Sequence, residues 1–578
     1  CPRGDAVRQR FALRMPAVPP GYRLLAVTAE IAGVEGSWGA LPDLLNPRSF
    51  EVFRGLVLDR YVQTVGEHFG ATIPGIFTDE AKPHGSFPIT RSMWDDFRRA
   101  RGYSLQTELH RLYGDVRCDR DLQVRVDYRR WILDRFLAAF VQPYRAFCDQ
   151  HRLCLVGHFS PEDDPIQETA CLGSAMAVMK QMSCPGTDLI VPFTGTAAAP
   201  TLNLGSLRVG SVRAQTGAPC AMSESMGLSG WSVTSAQARQ ILTWQKVLGV
   251  DRFFLHGFYT SNEGVQNYEA LPDFGPYSSI FHGVGAVNGW LKRLETLMDA
   301  DRTTPEVAVL NSLTTFWQWG PAMNTARLEQ CRDSLWQTLL GCLQAHVAVH
   351  LVDEADLAGA RIEAGRIRIG AGRYGTLLIP DLDGVGAPAH DALRRAAEAG
   401  MTLHVFGRRP WRGVGADGSL SAPAEPPGRR EGLPFADRHW ARRHLTPGIG
   451  IEGAGAHLCY GRRFEDAAAQ PHLLAVNVSE QPLELIVKGC ARTGQRWVPV
   501  EVDGVFTAVG SDGLWHLPPR GCGVFRAAET PPAPARPAIQ ERRPLALAAR
   551  RFRRDAANLC RLSAARVLRR GRVVASVD

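Results

Sequence analysis

The sequence predicts an α/β protein: a barrel of parallel strands and helices, then a doubly wound α/β unit, then a small β-sandwich. Three observations predict it. Helical and strand-like stretches alternate from about residue 48 to residue 300. A second series of apolar strands alternates with helices after residue 303, and short strands broken by tight turns follow residue 450. Repeated βα units give a parallel sheet covered by helices, and barrels of this kind place polar residues at the C-terminal ends of their strands.

The elements follow in order. "SFEVFRGLVLDRYVQTVGEHFG" sets Phe53, Val57, Tyr61, Val65 and Phe69 on one helical face. The strand "IPGIFT" comes next, then a long helical stretch that includes "VRVDYRRWILDRFLAAFVQPYRAFCDQHR". Further strands are "LCLVGHF", "TDLIVP", "PCAMSE" and "RFFLHGF", separated by helices such as "SAQARQILTWQKVLG". That makes five barrel strands rather than eight, and "YRLLAVTAEI" is a candidate for another. The barrel is assigned to residues 1–302. The second unit, 303–415, opens at "PEVAVLNS" and continues through "HVAVHLVDE", "YGTLLIPD" and "MTLHVFG". No glycine-rich phosphate loop follows its first strand, so nothing supports nucleotide binding. After the Pro/Gly-rich "GSLSAPAEPPGRREG" come the sandwich strands of 450–528, among them "HLLAVNVS" and "GCGVFRA". "TPPAPARPA" reads as a linker. Residues 540–578 read as the start of a further domain, cut short.

Bulk properties remove several classes. The 578 residues are 45% hydrophobic and 21% charged, which is ordinary globular composition, and the length suits two to four domains. The net charge of +8 comes largely from arginines such as those in "ARRFRRD" and "RVLRRGR". No nucleic-acid motif accompanies them, so the basic balance reads as a solvated surface rather than a nucleic-acid face. No apolar run is long enough to span a bilayer. The 13 cysteines are scattered and form no C-x-x-C pair. Free thiols in a reducing compartment are therefore expected, which favours the cytoplasm. The chain begins with Cys1 and shows no signal peptide. It is expected to be a fragment lacking its natural N-terminus, which would leave export open. Oligomeric state is not legible.

The chemistry-bearing residues gather at strand ends. "IPGIFTDE" delivers Asp79 and Glu80; "LVGHFSPEDD" delivers His158, Glu162, Asp163 and Asp164. "CAMSE" delivers Glu224 and "FFLHGF" delivers His256. Each alone is weak, because a strand-end Asp is an N-cap about as often as a catalyst. Together they suit glycoside hydrolysis, which needs two separated carboxyl groups and no Ser or Cys nucleophile. Trp231, Trp244, Tyr259, Trp290, Trp317 and Trp319 are candidate faces for sugar rings, with Trp244, inside a helix, better read as core.

Several strings in matching order resemble a known family. "GIFTDE", "RGYSL", "GHFSPEDDP", "CPGTDLI", "MSESMGLSGWSVT", "WQKVLGVDRFFLHGFYTS" and "YEALPDF" are similar to the family 106 glycoside hydrolases, typified by α-L-rhamnosidases, and their bacterial relatives. The resemblance covers roughly residues 40 to 530. It implies a (β/α)8 TIM-like barrel, an amidotransferase-like middle domain, and an inverting mechanism that releases a terminal deoxy sugar, α-L-rhamnose, from an oligosaccharide or polysaccharide. By match to "FTDE" and "MSE" it implies Glu80 as general acid and Glu224 as the base that activates water. Asp79, His158, Glu162, Trp231 and His256 would line the subsite, and a calcium ion would help hold the sugar hydroxyls. The same domain order occurs in retaining β-galactosidases, which is the alternative. A carbohydrate-binding relative without turnover is a third reading.

Overall fold

The computed structural model describes residues 41–528 apart from 114, 191–192, 197, 262, 264–271, 321–324, 408–410, 416–418, 422–424, 489–494, 501–507 and 510–513, together with the backbone of three strands between 546 and 577. Five short parallel strands build the first unit: β1 (Gly75–Thr78), β2 (Cys154–Gly157), β3 (Gly186–Leu189), β4 (Met222–Ser225) and β5 (Arg252–Leu255). β1 pairs with β2, and β3, β4 and β5 pair in sequence. The seam between the two sets is held by Ser183, whose N–H donates to the Leu155 carbonyl while its Oγ accepts from the Leu155 N–H at 2.9 Å. Gly157 is required at this point. Its φ is +112°, and a Cβ there would stand 2.0 Å from the Thr78 carbonyl oxygen. "YRLLAVTAEI" lies outside the described residues.

Two expectations fail here for physical reasons. The apolar face of residues 49–70 is buried only in part: Phe69 is buried and Phe53 and Val65 pack on the core, but Val57 and Tyr61 do not. The segment runs as an α-helix (Pro47–Phe53), a π-turn (Arg54–Leu58) and a second helix (Asp59–Val65). The wider turn rotates the i, i+4 series off the core, so Val57 and Tyr61 are exposed while Phe50, Leu58 and Phe69 are buried. The cysteines are not all free thiols either: Cys184 and Cys220 form a disulfide, with Cα atoms 5.3 Å apart. β3 pairs Gly186 with Met222. The cysteines two residues before each therefore arrive side by side. Sheet register made this pair, and a separation of 36 residues carries no sequence signature of it.

The second unit is a five-stranded parallel sheet. Its strands are β6 (Val307–Asn311), β7 (Val349–Asp353), β11 (Thr376–Ile379), β13 (Thr402–Val405) and β15 (Arg429–Arg430), in the order β15-β13-β11-β6-β7. The chain reverses direction between β6 and β11, the doubly wound pattern. An antiparallel trio intervenes, β8 (Arg361–Glu363), β9 (Arg366–Ile369) and β10 (Gly372–Tyr374), and β12 (Gly384–Gly386) pairs with β14 (Arg412–Val414). The sheet thus reaches Arg430, beyond residue 415. From Gly450 to Ala528 two four-stranded antiparallel sheets form a sandwich. Three antiparallel strands follow within 546–577. One apolar core runs from the first unit into the sandwich, and a second fills a face of the doubly wound sheet. No helix among the described residues is long and apolar enough to cross a membrane.

Candidate active site

The C-terminal ends of β1 to β5 converge, and His158 is their centre. It directly follows β2 and is fully buried. Its Nε2 stands 2.9 Å from Glu224 Oε2 and 3.3 Å from Asp79 Oδ1, and its Nδ1 stands 4.0 Å from Glu162 Oε1. Burial opposes a charge on this ring, but hydrogen bonds to Asp79 and Glu224 and the fields of Glu162 and Asp188 outweigh it and push its pKa up to about 11. His158 is therefore an imidazolium at neutral pH. It holds the carboxyl of Asp79, its hydrogen-bond partner, below the usual range against the opposing effect of burial. The ring of Phe77 on β1 packs against His158 and against Phe254 on β5, and fixes the floor of the cluster.

The residues that leave β1 are held in an unusual conformation. Glu80 has a φ of +44°, which costs a residue with a Cβ about 1 kcal/mol or more. Met226, directly after β4, has a φ of +79°. Such outliers persist where the surroundings over-determine them, and they concentrate at functional sites. Glu80 accepts from Lys82 Nζ at 3.3 Å. It lies close to His158 and to Asp188, so Glu80 and Glu224 both reach one imidazole. His256, half-buried at the end of β5, places its Nε2 3.9 Å from Glu224 Oε1.

Other expected residues sit differently. Glu162 is buried and turned inward, and its carboxylate accepts the Phe159 and Ser160 N–H groups at 2.8 and 2.7 Å. Its position is that of a staple for its own loop beneath His158, not of a side chain at the open mouth. Burial raises its pKa, against the pull of His158 and the two amides. Asp164 is an N-cap, accepting from Ile166 and Gln167 at the start of the helix Pro165–Cys171. Trp231 is half-buried in the turn after β4. Trp244, Trp290 and Trp317 are core: Trp290 Nε1 donates to Thr243 Oγ1 and Trp317 Nε1 to the Gly173 carbonyl. Trp319 donates to Asp383 in the second unit. The buried rings of Trp244 and Trp290 offer no face to a sugar. Exposed apolar side chains on the loops after β3, β4 and β5 include Ile190, Phe193, Leu228, Phe258 and Tyr277.

One residue of the cluster is not at a strand end in the sequence. Asp188 lies within β3, and the parallel register sets it directly beside Glu224 of β4. Burial first, then the charges of Glu224, Glu162 and Glu80, push its pKa up to about 8 against the opposing field of His158. The string "CPGTDLI" contained it, but a lone Asp inside an apolar strand gives no signal until the register is known.

The spacing of the cluster would suit a metal. Ligand-capable atoms of Asp79, His158 and Glu224 lie within 4.8 Å of one another, as do those of Glu80, His158 and Asp188. Imidazole with carboxylates is a donor set that first-row divalent ions accept, and His158 would give up its proton on binding one. Calcium, by contrast, takes an oxygen cage, and this cluster is centred on nitrogen.

The chain matches no protein-family model and no curated protein. Solved structures share its fold. A rhamnosidase from Novosphingobium sp. PP1Y superposes with a TM-score of 0.63 at 15% identity, over 89% of this chain and 50% of that one. This chain thus spans about half the length of that structure. A β-galactosidase from Bacillus circulans sp. alkalophilus gives 0.56 at 11% identity, over 85% and 83% of the two chains. An exo-carrageenase from Bacteroides ovatus gives 0.58 at 10%, over 86% and 72%. Likeness at these identities establishes the fold.

Proposed function

We propose that this chain is a glycoside hydrolase that releases a terminal deoxy sugar, α-L-rhamnose, with inversion. The observation that carries the reading is the meeting of Glu80 and Glu224, from separate strands, around one buried imidazolium. Glycosidic cleavage needs a carboxyl that gives a proton to the leaving oxygen and a carboxylate that acts on the other face of the ring. Glu224 accepts a hydrogen bond from cationic His158, which suits a base that takes a proton from water. Glu80 stands away from that bond and is the donor toward the leaving oxygen. Asp79, paired to the same imidazolium and exposed at its tip, is the group we assign to a sugar hydroxyl. The fold shared with the Novosphingobium rhamnosidase supports the choice of sugar.

The second reading is a retaining β-galactosidase. Its support is coverage: the Bacillus circulans enzyme is matched over most of both chains. A panel of aryl glycosides separates the two. Turnover of the aryl α-L-rhamnoside, with the inverted anomer seen first by proton NMR and lost in Glu80→Gln and Glu224→Gln, supports the first. Turnover of the galactoside with retention supports the second. Sugar binding without turnover on any member of the panel would sink both in favour of a carbohydrate-binding relative. The panel repeated with a chelator tests the calcium that the family resemblance implies; a loss restored by added calcium would bring the ion into the reading.

A further inference from the structure

We propose that the crevice at the N-terminal ends of β4, β6 and β7 is a second binding site, and that its ligand is a small molecule bearing an oxyanion, a carboxylate or a phosphate ester. It lies at the opposite end of the strands from His158. The proposal stands whether or not the chain is a glycosidase.

The crevice encloses about 490 Å³ where the three units meet. The loops that enter β4, β6 and β7 form part of its wall, and the sandwich strand Cys459–Glu465 forms another part. A space of that size suits a small organic ligand. Four guanidinium groups line it: Arg213, Arg302, Arg462 and Arg463. Arg213 is paired with Asp251 at 3.0 Å and Arg462 with Asp301 at 2.7 Å. The other two have no carboxylate partner among the described residues. Arg302 donates to the carbonyls of Asp299 and Asp301, at 2.8 Å each. Arg463, half-buried, makes no hydrogen bond or ion pair among the described residues.

The acids of the wall do not balance these charges. Asp301 is taken by Arg462 and by the N–H and hydroxyl of Thr303. Glu306 pairs with Arg366, which is not part of the wall. Glu465, two residues beyond Arg463 on the same strand face, is the one lining acid without a cation of its own among the described residues. Both lining histidines are neutral at pH 7. Burial first, then the charge of Arg462, holds His350 down to about 3, and burial holds His346 down to about 4. Burial also lowers the pKa of Arg213, and Arg462 and Arg302 add to that against the pull of Asp251. Like charges thus crowd the crevice, and an oxyanion relieves them. A guanidinium offers parallel N–H donors that match the edge of a carboxylate or phosphate. Leu207, Val247, Leu343 and Ile449 give the rest of the molecule an apolar wall.

The test uses two probes at constant ionic strength, inorganic phosphate and D-glucuronate, read by calorimetry and by melting temperature. Saturable binding of one or both is expected, and which of them binds tells phosphate from carboxylate. Arg302→Gln and Arg463→Gln should each weaken that binding by about 10-fold. Arg463→Lys, which keeps the charge, should weaken it less. The melting temperatures of the unliganded variants should stay near that of the parent, because neither side chain holds a carboxylate. Glu224→Gln should bind the anion as the parent does, which separates this crevice from the candidate active site. Failure of both probes to bind, binding undiminished in both glutamine variants, or binding lost in Glu224→Gln would each overturn the proposal.

Discussion

Two parallel sheets in this chain end in acids, and the two sets are partnered differently. At the rim of β1 to β5, Asp79, Glu80, Asp188 and Glu224 crowd around a single imidazolium. At the matching end of β6, β7 and β11, the acids share two cations or take neutral donors. Arg327 clamps Asp381 and Asp383 at 2.6 Å each, and Lys180 bridges Asp353 and Asp356. Glu354 takes the Thr314 hydroxyl and the Gly386 N–H. The crevice where a doubly wound sheet would bind a ligand is filled by the helix Thr314–Trp319, whose Thr315 Oγ1 accepts the Asp383 and Gly384 N–H groups. The contrast separates acids gathered on one imidazole from acids shared between an Arg and a Lys.

The largest expected effect tests that contrast directly. Glu224→Gln should lower kcat on the productive glycoside by about 1,000-fold, the scale of a lost general base, at a smaller cost in stability from the weakened His158 pair. Arg327→Met should do the reverse. Removing a guanidinium that is almost fully buried strands two carboxylates and costs about 3–5 kcal/mol of stability; kcat below the melting transition should stay at the parental value. Denaturant titration paired with initial rates reads both. A stable Arg327→Met, or one that folds but has lost turnover, would erase the distinction between the two sheet ends.

The disulfide sharpens the comparison at an intermediate scale. It ties β3 to β4 just before the strands that carry Asp188 and Glu224, and no disulfide is found in the second sheet among its described residues. Closing a loop of this length is worth about 4 kcal/mol. Cys184→Ser, or reductant on the parent, should lower the midpoint of unfolding accordingly. A parent insensitive to reductant, with both thiols open to alkylation in the native state, would remove the tie.

The contrast also explains what could be read from residues alone. Asp79, Glu80, His158, Glu224 and His256 were visible because each ends an apolar run, and strand alternation sends such ends to one rim. Asp188 was invisible because only the β3–β4 register makes it a neighbour of Glu224. The same is true of Cys184 and Cys220. Glu162 was legible as an acid, but its inward turn depends on two loop amides that no spacing announces. The outward turn of Val57 and Tyr61 depends on a π-turn, which the periodicity of the segment cannot register. Trp290 and Trp317 show the same limit from the other side: an indole suited to a sugar is equally suited to a core.

The smallest effect divides acids within a single loop. "SPEDD" carries Glu162, Asp163 and Asp164 within a few residues of His158, yet Asp164 faces away from the cluster. Its carboxylate accepts the Ile166 N–H at 2.7 Å and stands 3.6 Å from Arg332. That makes it a helix cap with an ion-pair partner, like the acids of the second sheet. Asp164→Ala should cost about 1 kcal/mol of stability and leave the pH–rate profile in place. Asp79→Asn, a short distance away on the rim, removes a partner of the His158 charge and should shift that profile while changing stability little. Both measurements use the same substrate and the same melts. A displaced pH profile in Asp164→Ala would place the cap inside the site after all. An unmoved one in Asp79→Asn would show that the imidazolium needs only Glu224.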